Sequence, residues 1–475
     1  MGNKQRIFFR ADASGKIGLG HVIRSLALAE MLGDDYYKIF LSRNLNTSIA
    51  ENVTRVCDEL ITLDSEDEEI SKIKKSYKEG DIIVLDGYQF NYEYQTSLFN
   101  HGFKIASIDD ISNTTFNTQV IINHGGGFSA SDYQDLGNSI YFLGPKYALL
   151  RPAFISAAKE KKSSLNMTDS IFICFGGADP NNETLRTLEF CIEQGYEELH
   201  IVIGAAYNHK AQLLDKIKQK GINASLYVNV SAEEMVIIMK KCEIGITSPS
   251  TVSYEFLSVN ARLFLKVIAD NQKRIYKYML ENSLAKPLEK LPRKEDITVQ
   301  CYEKSTIFDG QQKEKYQQLF EGLSLNLRPA QKMDSLLYFN WANDPSVRIH
   351  SFSSEEIKLK DHQTWFDNKL TSADTYLFVV HQNLEPIGQI RLEIIDNNAL
   401  ISYSIAAQYR GKGYSKFVLQ LGINKIKEVK KDIKEVYGFV KISNIASCKV
   451  FKRLNFKEQQ TDLYPKSLKF TKNVI

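Results

Sequence analysis

Gly18-Leu19-Gly20-His21-Val22-Ile23-Arg24 follows the short apolar run Ile7-Phe8-Phe9 and leads into Leu26-Ala27-Leu28-Ala29-Glu30-Met31-Leu32. An apolar strand, a glycine turn and a helix start in succession predict a βα unit whose helix tip offers free backbone N–H groups to an anion. A histidine at that tip either caps the helix or acts on whatever carries the anion. The same alternation continues downstream. Residues 82–85 run into Asp86-Gly87-Tyr88, residues 104–108 into Asp109-Asp110, and residues 120–122 into Asn123-His124-Gly125. Near-continuous apolar strands that stop at a polar residue or a glycine mark a buried parallel sheet, which binds ligands at the carboxyl ends of its strands. The charge-rich stretch 64–78 reads as the solvated face of a helix. Gly125-Gly126-Gly127 reads as a flexible loop, with His124 an ordinary loop residue.

A polar stretch near 159–169 precedes a second run of the same kind. A strand at 170–175 ends in Gly176-Gly177-Ala178-Asp179, one at 199–203 in Gly204, and one at 243–246 in Thr247-Ser248-Pro249-Ser250-Thr251. Two such halves predict an α/β fold of two Rossmann-like domains, 1–155 and 156–322, facing each other across a cleft suited to a nucleotide-bearing substrate. From 323 to 475 the pattern turns to α+β. Both tryptophans, Trp341 and Trp365, fall there, and strands at 377–381, 388–394 and 400–406 precede a glycine turn and a helix from 416. Lysines between 425 and 434 alternate with Ile426, Val429 and Ile433, as on the wet side of an amphipathic helix.

Composition narrows the partners. With 475 residues, 43% hydrophobic and 25% charged, the chain is an ordinary globular protein of several cores. A formal net charge of +3 is too small to make nucleic acid or an anionic membrane the main partner. No apolar run approaches the ~20 residues that cross a bilayer. The chain enters a strand at once without a signal-peptide core, so a cytoplasmic protein is expected. The six cysteines (57, 174, 191, 242, 301 and 448) are scattered, which argues against a disulfide framework or a zinc site, and no metal is expected.

An ordered set of short motifs carries a resemblance. Arg10-Ala11-Asp12 and Gly18-x-Gly20-His21-x-x-Arg24 are followed by Asp86-Gly87-Tyr88 and Asp109-Asp110. Then come Gly144-Pro145-Lys146-Tyr147-Ala148-Leu149-Leu150-Arg151-Pro152, Phe175-Gly176-Gly177-Ala178-Asp179-Pro180, Glu255 and Ala269-Asp270-Asn271-Gln272. Over residues 5–290 this set resembles the PseG family, the UDP-sugar hydrolases of pseudaminic acid biosynthesis. The resemblance implies a glycosyltransferase-B type fold and cleavage of UDP-2,4-diacetamido-2,4,6-trideoxy-β-L-altropyranose to UDP and free sugar. It makes His21 the base, with Tyr88 and Asn271 as catalytic partners beside Asp12. It also implies substrate-binding roles for Arg10, Gly18, Gly20, Arg24, Asp86, Arg151, Gly176, Gly177, Asp179, Ser250, Thr251, Glu255 and Gln272, with Glu255 on the ribose hydroxyls. UDP is a good leaving group, so neutralising its charge matters more than a general acid, and a neutral imidazole can orient and deprotonate a water. One departure stands out: Pro249 lies where relatives carry a glycine-rich turn and removes an N–H donor.

In the last domain Gln408-Tyr409-Arg410-Gly411-Lys412-Gly413 sits between a strand and a long helix, where successive N–H groups form a nest for a pyrophosphate. A strand at 437–442 and Asn444-x-x-Ser447-x-x-x-Phe451-x-x-x-Asn455-Phe456 follow. Leu327-Arg328-Pro329-Ala330, Trp341-Ala342-Asn343-Asp344-Pro345 and His362-x-x-Trp365-Phe366 precede them. The segment resembles the GNAT acetyltransferases that act on amino sugars or protein N-termini. The resemblance implies acetyl-CoA as cosubstrate, held by Ile405, Ala407, Gln408, Arg410, Gly411, Lys412, Gly413, Tyr414, Ser415, Asn444 and Ser447. Many relatives have a tyrosine at the position of Phe451 to protonate the thiolate. Here Tyr403 or Tyr414 substitutes, or the thiolate leaves unaided. His350 is either a base or structural, and His362 with Trp365 reads as core packing.

Together the two resemblances imply consecutive steps on one UDP-amino-sugar: acetylation of its 4-amino group, then removal of UDP. The alternative is a UDP-dependent glycosyltransferase joined to a protein or amino-sugar N-acetyltransferase, since the same two-lobed fold serves both chemistries. Pro249 and Phe451 also leave open that one half is a binding module.

Overall fold

The first strands bear out the reading of a buried parallel sheet. In the computed structural model, which describes residues 4–13, 19–43, 45–63, 66–135, 139–160, 169–260, 262–297 and 306–474, β1 (Gln5–Ala11) leads to α1 (Gly20–Leu32) and β2 (Tyr36–Ser42). Then follow α2 (Thr47–Val56), β3 (Glu59–Thr62), α3 (Glu66–Ser76), β4 (Ile82–Asp86), α4 (Tyr92–His101) and β5 (Lys104–Ile108). Short β6 (Thr115–Phe116), β7 (Val120–Asn123), β8 (Gln134–Asp135) and β9 (Ile140–Leu143) complete the lobe. The main sheet runs β3-β2-β1-β4-β5-β7-β9. Its pairings from β3 to β7 are all parallel. Ile7, Phe8, Phe9, Ile82, Ile83 and Val84 are fully buried, which is why these strands read as unbroken apolar runs.

After α5 (Pro152–Lys159) the second lobe repeats the plan. It comprises β10 (Ile171–Cys174), α6 (Glu183–Glu193), β11 (Glu198–Ile203), α7 (Lys210–Lys220), β12 (Asn223–Val228) and α8 (Ala232–Lys241). It continues with β13 (Ile244–Thr247), α9 (Thr251–Val259), β14 (Arg262–Leu265), α10 (Lys273–Glu281), β15 (Lys286–Pro287) and α11 (Gln312–Leu323). The strand order β12-β11-β10-β13-β14-β15 is the Rossmann order 3-2-1-4-5-6, so its switch point lies between β10 and β13. In the first sheet the corresponding switch lies between β1 and β4.

The third sheet is mixed. It contains β16 (Asn326–Pro329), α12 (Ser335–Ala342), α13 (Pro345–His350), α14 (Leu359–Leu370), β17 (Thr375–Gln382), β18 (Glu385–Ile395) and β19 (Asn398–Ile405). Then come α15 (Ser415–Val429), β20 (Glu435–Lys441), α16 (Ile445–Arg453), β21 (Lys457–Gln460) and β22 (Ser467–Asn473). The sheet order is β16-β17-β18-β19-β20-β22-β21. By contacts the chain divides into two units, residues 1–136 with 141–317, and residues 137–140 with 318–475.

Two expectations change. The glycine run after β7 is a packing seam, not a free loop. A Cβ at Gly126 would stand 1.9 Å from the ring of Tyr278 on α10, so only glycine admits that ring. Beside it, Arg274 Nε donates to the Gly127 carbonyl (2.9 Å), Nη2 pairs with Asp132 (2.6 Å), and the guanidinium lies 4.0 Å from the Phe128 ring centroid. These contacts join the two lobes of the first unit. Gly126→Ala is expected to destabilise that unit by about 1–3 kcal/mol through overpacking, as read by urea unfolding. The cost should shrink when Tyr278→Ala is added, and a deficit unchanged in the double variant would refute the steric cause.

The second change concerns α3. Its charges were expected to be wholly solvated, yet Glu69 is buried and receives Arg10 Nε at 2.6 Å. Arg43 and Tyr94 also donate to it.

Candidate active sites

Asp86, at the carboxyl end of β4 beside the switch point, gathers the first site. His21 Nδ1 lies 2.6 Å from Asp86 Oδ1, and Arg24 donates from Nη2 to Oδ1 (2.6 Å) and from Nε to Oδ2 (2.7 Å). Ser25 Oγ donates to Oδ2 at 3.2 Å. His21, Arg24 and Ser25 all face this carboxylate because they share the inner side of the first turns of α1. Asp86 is fully buried; burial favours its neutral form, but Arg24 and the His21 bond hold its carboxyl below the usual range. Arg24 Nη2 also lies 3.0 Å from Nδ1, but it donates to Asp86 Oδ1, and the shorter carboxylate contact assigns the ring proton to Nδ1 and leaves Nε2 as the basic nitrogen.

The rim of the same site draws on both lobes. Tyr88 stands edge-on to the His21 ring, with centroids 5.0 Å apart, and Asn271 Nδ2 donates to the Tyr88 hydroxyl at 3.4 Å. The three expected catalytic residues are therefore neighbours. Partial burial and the adjacent Asp110 carboxylate push the Tyr88 phenol up to about 12, so it stays protonated. Asp110 is tied to Arg24 (2.8 Å) and so belongs to this cluster. Asp109 accepts from Ser112 N (2.8 Å) and Tyr133 (3.1 Å), as a turn-forming residue does.

Arg10 and Asp12 form a support behind the cluster. Arg10 is fully buried, donating to Asp12 at 2.6 and 2.8 Å and to Glu69 at 2.6 and 3.1 Å. Expected to bind substrate, it instead holds Asp12 in place. Asp12 also accepts from Arg43 N (2.8 Å) and Gln89 (3.0 Å); burial opposes its charge, yet the Arg10 contacts keep its carboxyl below the usual range.

The second lobe supplies the candidate phosphate and ribose contacts. Gly176 has φ +87° and open space where a Cβ would be, and Gly177 faces Leu19 of the α1 turn. Asp179, expected to bind substrate, caps α6: its oxygens accept from Glu183 N (2.9 Å) and Thr184 N (2.7 Å), so those donors are not open to a phosphate. The tip of α9 differs. Ser250 is its N-cap without a side-chain cap bond, and Thr251 begins the helix, so Pro249 falls before the first-turn N–H groups. Glu255 is buried and takes Arg151 in a bidentate pair at 2.7 and 2.9 Å, leaving each oxygen a lone pair for a further donor. Gln272 accepts from Ile268 N at 3.0 Å and shapes the loop that carries Asn271. Gly20 opens α1 with no side chain near its Cβ position, and Gly18 lies outside the described residues.

His124 was not singled out by sequence. It is buried, accepts from Leu149 N (3.3 Å) and packs on Tyr254, and burial lowers it to about 4, which keeps it neutral. Its position at the end of β7 was the available signal.

The last unit holds the second site. β19 and β20 pair in parallel only at Asn398↔Glu435, Ala399↔Val436 and Leu400↔Tyr437. β19 continues on β18 as far as Ile405↔Gly388, and β20 on β22 as far as Lys441↔Ser467. Past Leu400 the two strands part, and a cavity of about 880 Å³ opens, lined by Tyr403, Ile405, Gly411, Gly413, Asn444 and Ser447 among others. The strand edge in that notch offers backbone groups to an extended amide chain. Gly411 (φ +79°) and Gly413 (φ +76°) have nothing near their Cβ positions, which fits a pyrophosphate seated against the tip of α15. The arrangement thus fits a coenzyme A thioester. Arg410 Nε ties the loop to the Ile405 carbonyl (2.8 Å) and Nη1 to Asp344 (3.0 Å), while Ala407, Gln408 and Lys412 lie along it. Asn444 caps α16 by accepting from Ser447 N at 3.1 Å. His362 packs on Phe339, Trp365 and Phe366, as expected of a core residue.

Among the described residues no group of three or more His, Cys, Asp or Glu is placed to hold a metal, and no helix is long and apolar enough to cross a membrane.

A polarised histidine at the switch point of two Rossmann-type lobes and a splayed mixed sheet over a thioester-sized cavity define an enzyme in two parts. Comparison with known proteins gives the same division. Residues 324–457 match the acetyltransferase (GNAT) domain family. Over 274 residues, 56% of this chain and 93% of the relative, it is 26% identical to the UDP-2,4-diacetamido-2,4,6-trideoxy-beta-L-altropyranose hydrolase of Campylobacter jejuni. An uncharacterized protein of Methanocaldococcus jannaschii, MJ1062, is 22% identical over 95% of this chain and 97% of its own length. Among solved structures, the spermidine N-acetyltransferase of Vibrio cholerae in complex with CoA and spermine aligns at TM-score 0.29 and 16% identity, covering 31% of this chain and 95% of that one. The chain thus joins a segment homologous to a UDP-sugar hydrolase to a C-terminal GNAT acetyltransferase domain.

Proposed function

We propose that the first unit hydrolyses UDP-2,4-diacetamido-2,4,6-trideoxy-β-L-altropyranose to UDP and free sugar, and that the last domain N-acetylates the UDP-4-amino-sugar that precedes it. The observation that carries this reading is His21 held on Asp86 with Nε2 as base, in a cluster that the second lobe completes with Asn271. A water oriented by His21 attacks the anomeric carbon; the bond to the UDP oxygen breaks, UDP leaves with the electron pair, and Nε2 takes the water's proton. The N–H groups at Gly176, Gly177, Ser250 and Thr251 stabilise the departing diphosphate, and Glu255 receives the ribose hydroxyls. Tyr88 and Asn271 flank the water and the sugar. Arg24 and Asp110 fix the cluster.

In the acetyltransferase the cosubstrate is acetyl-CoA, with its pyrophosphate on residues 408–413. When bound it supplies the activated acetyl group. The backbone N–H groups of Ile405 and Ala407 polarise its carbonyl, that of Ala406 being given to the Ile387 carbonyl (2.9 Å), and the sugar amine attacks it. The route is that of pseudaminic acid, and two steps on one substrate explain why one chain carries both parts.

Incubating the chain with the UDP-4-amino-sugar tests this directly. With acetyl-CoA, chromatography is expected to show the N-acetylated UDP-sugar first and free sugar plus UDP second; without it, neither accumulates at a comparable rate. UDP release that requires an added sugar acceptor would establish the glycosyltransferase alternative instead.

A further inference from the structure

We propose that Tyr403 is the acid that protonates the departing sulfur in acetyl transfer, a proposal that rests on the acetyltransferase reading above. Tyr403 lies on β19 beyond Leu400, where β19 and β20 have parted, and its side chain lines the cavity. Its hydroxyl is 3.2 Å from Ser447 Oγ and also bonds the Ser415 hydroxyl at the start of α15. The Asn444 cap fixes Ser447 in turn.

The other phenols around the cavity are committed elsewhere. Tyr414 donates to Glu321 (2.7 Å) and Tyr409 to Glu385 (3.1 Å), so each of these phenol protons is already engaged by a carboxylate. Phe451 carries no hydroxyl. Its ring stacks on Phe470 (5.1 Å) and meets Phe456 edge-on (4.9 Å). Tyr403 faces two neutral hydroxyls that can turn to donate to a phenolate, and it stands near the positive end of α15. Burial raises its phenol, which keeps the proton in place until sulfur leaves.

In the step the acceptor nitrogen forms the C–N bond as the C–S bond breaks. The sulfur leaves with the bonding pair and takes the Tyr403 proton. The nitrogen gives its surplus proton to solvent water, and solvent returns one to the phenolate. Amine and thioester become amide and thiol.

The test uses the full chain and two probes, CoA and desulfo-CoA, with affinities measured by calorimetry. The unsubstituted chain is expected to prefer CoA by about fivefold to tenfold, the worth of one hydrogen bond to sulfur. Tyr403→Phe is expected to erase that preference while leaving desulfo-CoA affinity within about twofold. With acetyl-CoA and the UDP-4-amino-sugar its kcat should fall by about 10²-fold, and an acetyl thioester of a strongly acidic thiol should restore it. A preference unchanged in Tyr403→Phe, or equal losses of kcat with both thioesters, would overturn the proposal. Tyr403→Met is read in the same assay if the phenylalanine variant does not fold. A chain that prefers CoA through Tyr403 yet leaves the amino sugar untouched would refute the acceptor and keep the acid. A chain that binds neither probe would refute both.

Discussion

Asp86→Asn is expected to slow UDP release by about 10⁴-fold at pH 7, the size of effect seen when the orienting acid of a Ser–His–Asp triad is amidated. In the native chain the Asp86 carboxylate can only accept, so the 2.6 Å contact fixes the proton on His21 Nδ1. An asparagine that turns its NH2 toward the ring makes Nδ1 the acceptor and moves the proton to Nε2, which removes the base. It also withdraws a full charge from Arg24, whose two bonds to Asp86 hold the cluster together. The loss should fall on kcat, with KM changed only a few-fold, because the diphosphate contacts proposed above lie in the other lobe. A loss below about tenfold would mean that Asp86 does not set the tautomer.

Arg10→Ala is expected to destabilise the first unit by about 3–5 kcal/mol, because it strips the shared partner from two carboxylates. Arg10 is fully buried and pairs with both Asp12 and Glu69. Burial raises both carboxyls, but the Arg10 bonds win and hold both below their ordinary values. Groups depressed in this way stabilise the fold above their unfolded pKa values near 4, and that contribution is lost as pH falls through the folded values. Without Arg10 the two carboxyls titrate higher. The deficit should therefore be greatest near pH 7 and smaller near pH 4, where protonation relieves the unpaired charge. Urea unfolding at the two pH values checks this; an equal deficit at both would point to lost packing alone.

How far the sequence could be read follows from which interactions leave a local trace. The strands at 171–174, 198–203 and 244–247 were visible because burial on both faces demands unbroken apolar runs. The mixed sheet was visible too, with each expected strand lying within the observed β17, β18 and β19 to within a residue. His21, Tyr88 and Asn271 could be named as a set only through the resemblance, since nothing local links residues so far apart. Glu69 was missed because Glu66-Asp67-Glu68-Glu69 looks uniformly polar, and only the fold decides which carboxylate turns inward. One sign was present: Arg10 interrupts an apolar strand, and a guanidinium buried there must find an anion. Gly126 was misread because a close approach by Tyr278 depends on an element more than a hundred residues away. Asp179 was assigned to substrate, although an aspartate four residues before a helix's first turn also satisfies backbone donors, and it does so here.

In the proposed reaction, water guided by His21 reaches the sugar carbon and leaves the diphosphate intact. Turnover of the acetylated UDP-sugar in ¹⁸O-enriched water, with no sugar acceptor, tests it by phosphorus NMR of the released UDP. Unlabelled UDP is the predicted result, since the bond broken is the one between the anomeric carbon and the phosphate oxygen. UDP carrying ¹⁸O on its β-phosphorus would mean that water attacked phosphorus, and would rule out the His21-guided attack on carbon.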